Sequence, residues 1–482
     1  MPTLELPLIV PWIRLDRDAK AEEELALARA RLPWLAGFCL FGGEAEQVRM
    51  LTERLRDAAG REIFVASDME RGAGQQVKGL RVLPDAAIWG LSGSPTDAYA
   101  FGAITARDAR SVGVDVLFAP VLDVRSEPRN PIVGNRAFGW DPDRVAVLGG
   151  AFCRGAISGG AFPTAKHYPG HGATTSDSHG VVPVVIDSED RLLSRDIAPF
   201  THAIAEGCPA VMTAHVAYPS LDPSGEIATF SEPILSGLRQ TADDLGVPLV
   251  VFTDALLMAG ALDPAGETSA SRRALLAGCD ALLIPSHPER LATELFDEGG
   301  LGDEAERASE RLAVFLEALG TLPAVPGIAD DDLDGVPLRV ADRALRMAGG
   351  ASIEPEGTGG MLCVVDDDGI AERGRLLLER AKAAGIATYV ARLSKDGPPP
   401  APLPKRAKPT TIVVMSSVRA WKGESDLSTQ GRTLAEQLLL ASEGAAQSVW
   451  MTPRAPMPAV GIHLPGLGPD IEAALADRLF GG

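Results

Sequence analysis

A chain of 482 residues exceeds what one hydrophobic core usually supports, so two domains are the starting expectation. Apolar residues make up 46%, ample for globular cores, while 45 basic side chains face 65 acidic ones for a formal net charge of −20. That balance repels a polyphosphate backbone and an anionic lipid surface, which argues against nucleic acid and membrane as partners.

The first stretch, MPTLELPLIVPWIRLD, has no basic residue before its apolar run and no small-residue cleavage pattern after it. It reads as a first strand rather than a signal peptide. From there short apolar runs alternate with longer amphipathic segments, the rhythm of βα units on a parallel sheet. Eight strands are predicted: Leu6–Trp12, Gly37–Phe41, Ile63–Ser67, Val114–Pro120, Ala161–Lys166, Ala210–His215, Leu249–Thr253 and Ala281–Pro285. Helical patterns such as Ala19–Arg31 and Glu44–Ala59 lie between them. Eight such units predict an α/β fold with a closed (β/α)8 TIM-type barrel over residues 1–325.

In a barrel the working residues sit where strands end and βα loops begin. Here the third strand runs into Asp68 and Glu70, the fourth into Asp123, the fifth into Lys166 and His167, the sixth into His215 and the seventh into Asp254. A polar residue at one strand end means little, but five strands in succession mark one end of the barrel as polar. Beyond a helical region to about Leu319, the Pro-, Gly- and Asp-rich stretch Thr321–Val336 reads as a linker. Met361–Val365 and Thr411–Met415 are buried-strand patterns, and Ile370–Ala384 and Arg432–Ala441 helical ones, so residues 337–482 read as a smaller α/β sandwich domain. Five cysteines, scattered and without CxxC spacing, favour reduced buried thiols and a cytoplasmic protein.

The densest chemistry lies in Lys166–Pro183, KHYPGHGATTSDSHGVVP, which holds three of the seven histidines in a glycine-rich, polar run that reads as an exposed loop. Asp177 and His179 are one residue apart, so the carboxylate can accept from one imidazole nitrogen and leave the other for a substrate. Such a pair gives and takes protons near neutral pH, although two polar residues on a solvated loop would look the same. Asp254, delivered by a buried strand, suits a nucleophile, yet an aspartate there also serves as a helix cap. His171, flanked by glycines, reads as a residue that shapes the loop. The histidines with Asp68 and Asp254 could be imagined around zinc. No HExxH occurs, and the two histidines of His-Tyr-Pro-Gly-His straddle a Pro-Gly turn rather than one helical face, so neither metal nor cofactor is expected.

At KHYPGHG followed by DSH the sequence resembles glycoside hydrolase family 3, and within it the bacterial β-N-acetylglucosaminidase branch. Asp68-x-Glu70, Phe118–Val124, Gly134–Gly139, Met212–Val216, Thr253-Asp254 and Ala277–Ile284 follow in the family order. In the C-terminal part Val418-Arg-Ala-Trp-Lys-Gly423 is the most suggestive piece. The resemblance implies a retaining exo-acting hydrolase of terminal β-linked N-acetylglucosamine, with peptidoglycan-derived fragments as substrate class. It makes Asp254 the nucleophile, His179 the general acid/base and Asp177 its partner, and it gives Asp68, Arg136, Lys166 and His167 the task of holding the sugar. One departure is Glu70-Arg-Gly-Ala-Gly-Gln-Gln-Val77, with glutamine where the family's EGGRV-like run has arginine. Two alternatives stay open: a phosphorylase that uses phosphate as acceptor, and a non-catalytic sugar-binding protein.

Overall fold

The computed structural model describes residues 6–175, 182–258, 265–297, 301–322, 333–348, 360–368, 370, 372–394, 400, 402, 409–416, 427–442, 446–452 and 462–480. By packing, these form two compact units. The first comprises residues 1–82, 98–126 and 140–333, and the second residues 83–97, 127–139 and 334–482.

The first unit is a ring of parallel strands. Its first stave comes in two pieces, β1 (Ile9–Val10) and β2 (Trp12–Arg14). There follow β3 (Gly37–Phe41), β4 (Phe64–Ser67), β5 (Val116–Leu117), β6 (Phe162–Tyr168), β7 (Ala210–Thr213), β8 (Val250–Phe252) and β9 (Leu282–Leu283). Each of β2 to β8 pairs in parallel with the next. The ring closes where Phe252 bridges Ala281 and Ile9–Val10 pairs with Leu282–Leu283. All eight predicted strands thus become staves of one barrel.

Closure covers both faces of most staves, so they read as near-continuous apolar runs rather than alternating ones, with polar residues such as Lys166 and His167 near their C-terminal ends. Phe64 on β4 meets Phe252 on β8 with ring centroids 5.8 Å apart, although those strands are not neighbours, which places both rings inside the barrel. Phe315, from the helix Gly302–Gly320, packs on Phe162 at 5.0 Å and Phe64 at 6.3 Å, the first residues of β6 and β4. It closes the N-terminal end of the barrel. At the same end Asp115 takes Arg56 at 2.6 Å together with Arg110, and Asp280 takes Arg311 at 2.7 Å together with Arg239. These clasps hold helices to the sheet and leave the opposite, C-terminal end for chemistry.

The second unit has a parallel sheet of five strands: β10 (Met361–Asp366), β11 (Ala387–Arg392), β12 (Thr411–Met415), β13 (Gln447–Met451) and β14 (Ile462–Leu464). Their order is β11-β10-β12-β13-β14, a doubly wound arrangement. One sheet face, with Cys363, Val365, Ile412, Val414 and Trp450, packs on Leu434, Ala435 and Leu438 of the helix Thr429–Ala441. The sequence division at residues 325–337 follows the chain, but packing differs from it. Residues 83–97 and 127–139, read as barrel, belong to this second unit. The reason is a set of bonds far apart in sequence: Asp85 accepts from the Leu467 N–H at 2.7 Å and from Asn135 Nδ2 at 2.5 Å, and Ser92 Oγ donates to the Val340 carbonyl at 3.0 Å.

Candidate active site

The polar ends of β4, β5, β6, β7 and β8 supply the cluster. Lys166, on β6, is 2% exposed, and its Nζ donates to Asp68 Oδ1 at 2.6 Å and to Glu70 Oε1 at 2.7 Å. A buried ammonium is tolerable only with such partners. Asp68 keeps a partly exposed carboxylate while anchored at one oxygen. Glu70, which follows the same strand, thus has a role the sequence reading left unassigned.

His167 is buried beside it, and its Nδ1–H donates to Asp123 Oδ2 at 2.8 Å. The other Asp123 oxygen receives the backbone N–H groups of His167 at 3.2 Å and His171 at 2.6 Å. Burial alone would raise the Asp123 pKa, but the two histidines and the His171 N–H outweigh it, so the carboxyl stays below its ordinary value. Asp123 therefore fixes the tautomer of His167 and leaves Nε2 for a ligand. Forty-four residues separate the pair, so no local pattern could reveal it.

The expectation of an exposed loop from Lys166 onward is corrected by the structure. β6 continues through His167 to Tyr168, and residues 166–172 are buried. Their polarity is satisfied internally: Asp123 takes the backbone, and His171 Nδ1 pairs with Thr174 Oγ1 at 2.9 Å. Burial pushes the His171 pKa down to about 4 despite the Asp123 carboxylate, so the ring is neutral at pH 7. Gly172 is required where it stands, because a Cβ there would lie 1.7 Å from the Val124 carbonyl oxygen.

Asp254 follows β8, half-buried, with Oδ1 accepting from the Ala255 N–H at 2.7 Å. Burial opposes its ionisation, but His215, then His167, the Ala255 N–H and Lys166 together hold its carboxyl below the ordinary value. It is a carboxylate at neutral pH. His215 is buried and oriented at both ring nitrogens: Nδ1 pairs with Thr229 Oγ1 at 2.8 Å and Nε2 lies 3.3 Å from the Ala255 carbonyl. Asp68, Lys166, His167 and Asp254 are thus brought into one electrostatic cluster, with His215 and Asp123 as supports.

Three of the residues singled out in the sequence stand apart from this description. Asp177 and His179 lie outside the described residues. Arg136 ends the short 3-10 turn Gly134–Arg136 in the second unit, where its Nη1 donates to the Ile132 carbonyl at 3.3 Å. Among the described residues no group of three or more His, Cys, Asp or Glu side chains is arranged to hold a metal ion. Nor is any helix among them long and apolar enough to cross a membrane.

Ionised carboxylate, cationic and imidazole donors, and a second carboxylate at the C-terminal end of a (β/α)8 barrel form a set suited to polyhydroxylated ligands. Residues 19–312 match the glycosyl hydrolase family 3 N-terminal domain. A beta-hexosaminidase of Neisseria meningitidis serogroup C (strain 053442) is 33% identical over 357 residues, which is 71% of this chain and 95% of that protein. A glycoside hydrolase family 3 beta-N-acetylglucosaminidase from Paenibacillus sp. str. FPU-7 has the same fold, with a TM-score of 0.81 at 24% identity over 100% of this chain and 96% of that one. NagZ from Neisseria gonorrhoeae is 28% identical with a TM-score of 0.56, covering 70% of this chain and 98% of its own. The barrel, its polar C-terminal end and these likenesses agree: the chain belongs to glycosyl hydrolase family 3 and is a glycoside hydrolase.

Proposed function

We propose that the chain is a retaining exo-β-N-acetylglucosaminidase that removes terminal β-linked N-acetylglucosamine, with peptidoglycan-derived fragments as its substrate class. The observation that carries this reading is Asp254, a half-buried carboxyl held ionised by neighbouring cationic and imidazole groups at a strand end. Such a group is poised to attack rather than to donate a proton. The beta-hexosaminidase relative supports a terminal β-linked N-acetylhexosamine as the sugar removed, and the peptidoglycan-derived class rests on the sequence resemblance.

In the first step Asp254 attacks the anomeric carbon and the glycosidic bond breaks, its electron pair leaving with the aglycone oxygen. His179 gives that oxygen a proton, and Asp177 stabilises the imidazolium beforehand. In the second step neutral His179 takes a proton from water, whose oxygen displaces Asp254. The configuration is retained. Asp68 accepts from sugar hydroxyls, while Lys166 and His167 donate to oxygens of the same sugar. The roles of Asp177, His179 and Arg136 rest on the sequence motifs. The five cysteines, all buried and scattered in sequence, support a reducing, cytoplasmic setting for a recycling enzyme.

Replacing Asp254 with alanine is expected to lower kcat with an aryl β-N-acetylglucosaminide by more than about a thousandfold. Added azide should restore turnover and give the α-glycosyl azide. Near-normal turnover of Asp254→Ala would overturn the assignment. Assaying with and without inorganic phosphate separates hydrolysis from phosphorolysis, since only the latter yields sugar 1-phosphate.

A further inference from the structure

The turn that carries Asp254 is held from both neighbouring strands. Asp254 to Met258 follow β8 as a tight turn, closed by the Met258 N–H donating to the Ala255 carbonyl at 2.9 Å. That same carbonyl lies 3.3 Å from Nε2 of His215, just past β7. A carbonyl only accepts, so Nε2 carries the proton in this contact. On the other flank the Leu257 N–H donates to the carbonyl of Ile284, just past β9, at 3.2 Å. Ile284 has a φ of 50°, a left-handed conformation that a β-branched residue adopts only under strain. Strain of this kind persists where the surrounding structure fixes the backbone firmly, and it clusters at functional sites.

His215 is itself held in place. Its side chain is 1% exposed, and Nδ1 pairs with Thr229 Oγ1 at 2.8 Å. Thr229 lies on the 3-10 turn Ala228–Phe230, and its hydroxyl meets Oγ1 of Thr213, on β7, at 2.8 Å. Both threonines are fully buried. A chain of contacts through Thr213, Thr229 and His215 therefore runs from β7 to the residue next to Asp254. Ala255 completes it, since its N–H donates to Asp254 Oδ1 at 2.7 Å. One residue thus meets His215 with its carbonyl and holds the Asp254 carboxylate with its N–H. Against the burial that opposes ionisation, His215 also contributes most to keeping Asp254 charged.

We propose that His215 is a positioning residue for the nucleophile: by gripping Ala255 it anchors Asp254 Oδ1 and aims Oδ2 at the anomeric carbon. The inference rests on the nucleophile role assigned to Asp254 above. Attack needs the carboxylate aligned with the breaking bond, and a displacement of about 1 Å costs on the order of a hundredfold in rate. Loosening Ala255 therefore slows glycosylation without weakening the hold on the sugar, which is assigned above to Asp68, Lys166 and His167.

The test uses 2,4-dinitrophenyl β-N-acetylglucosaminide, whose leaving group needs no proton, so kcat/KM reports the attack on the anomeric carbon. Inhibition by N-acetylglucosamine is measured alongside. His215→Leu is expected to lose about thirtyfold or more in kcat/KM, with the inhibition constant within about threefold of the wild type. His215→Gln, whose amide supplies a donor to the same carbonyl, should recover about tenfold of that loss. Thr229→Val keeps the ring but removes the partner of Nδ1; it should lose about three- to tenfold, and it carries the test if His215→Leu fails to fold. A wild-type rate in His215→Leu or Thr229→Val, a His215→Gln no better than His215→Leu, or an inhibition constant that rises in step with the loss would each overturn the positioning role. Turnover by Asp254→Ala near the wild-type level would instead remove the nucleophile assignment, and this inference with it.

Discussion

A single carboxylate, Asp123, fully buried, shows how much of this candidate site is arranged by groups beneath its surface. One of its oxygens orients the His167 ring and the other gathers two backbone N–H groups. His171, on the same carboxylate, is a case where pH tells on stability. Its pKa is lowered from 6.5 to about 4 by burial, so the unfolded chain takes up a proton more readily than the folded one. The contribution of the neutral ring is fully present above pH 6.5 and is lost as pH falls through about 4. Compared with His171→Gln, the wild type should lose up to about 3 kcal/mol of relative stability between pH 7 and pH 4. Urea midpoints of the two proteins across that range measure it, and parallel curves would refute it.

At the level of elements, the two ends of the barrel divide the work. The C-terminal ends of β4, β6 and β8 lead into Asp68, Lys166 and Asp254, whereas acids at the other end, Asp115 and Asp280, are consumed by arginine pairs. An acid beside a strand is therefore not a site by itself; which end it occupies decides. Phe315 packs under the closed end, 3% exposed, with its ring edge-on or tilted against three barrel phenylalanines, Phe64, Phe162 and Phe252. Phe315→Ala should destabilise the protein by about 3–5 kcal/mol while leaving KM of the folded enzyme unchanged. Denaturant unfolding and steady-state kinetics at low temperature check both halves, and a raised KM would show that the two ends are not independent.

At the scale of the whole molecule, each of the two units is assembled from segments far apart in the sequence. The helix Ala86–Ser92 lies early in the sequence, yet Asp85 bonds Leu467 and Ser92 bonds Val340. A chain ending at Leu333 therefore leaves this helix, with its buried Ile88 and Trp89, without the partners it has in the second unit. Such a truncation should bind an apolar dye strongly and melt at a lower temperature than the full chain; equal melting would show that residues 83–97 need no partner. The sequence by itself determined the barrel, because eight apolar runs at βα spacing admit few other closures, and it placed ionisable groups at the strand ends that became the site. It also carried the family motif, since KHYPGHG is local and its residues stand next to one another. What only the tertiary structure decided is which of those groups touch. Lys166 with Asp68, His167 with Asp123 and His215 with Thr229 are separated by 14 to 98 residues. The same holds for the burial of His167 and His171, polar in sequence but covered in the fold. Hydrogen-bond partners brought from distant strands can make a polar run part of a core, and no local pattern records them.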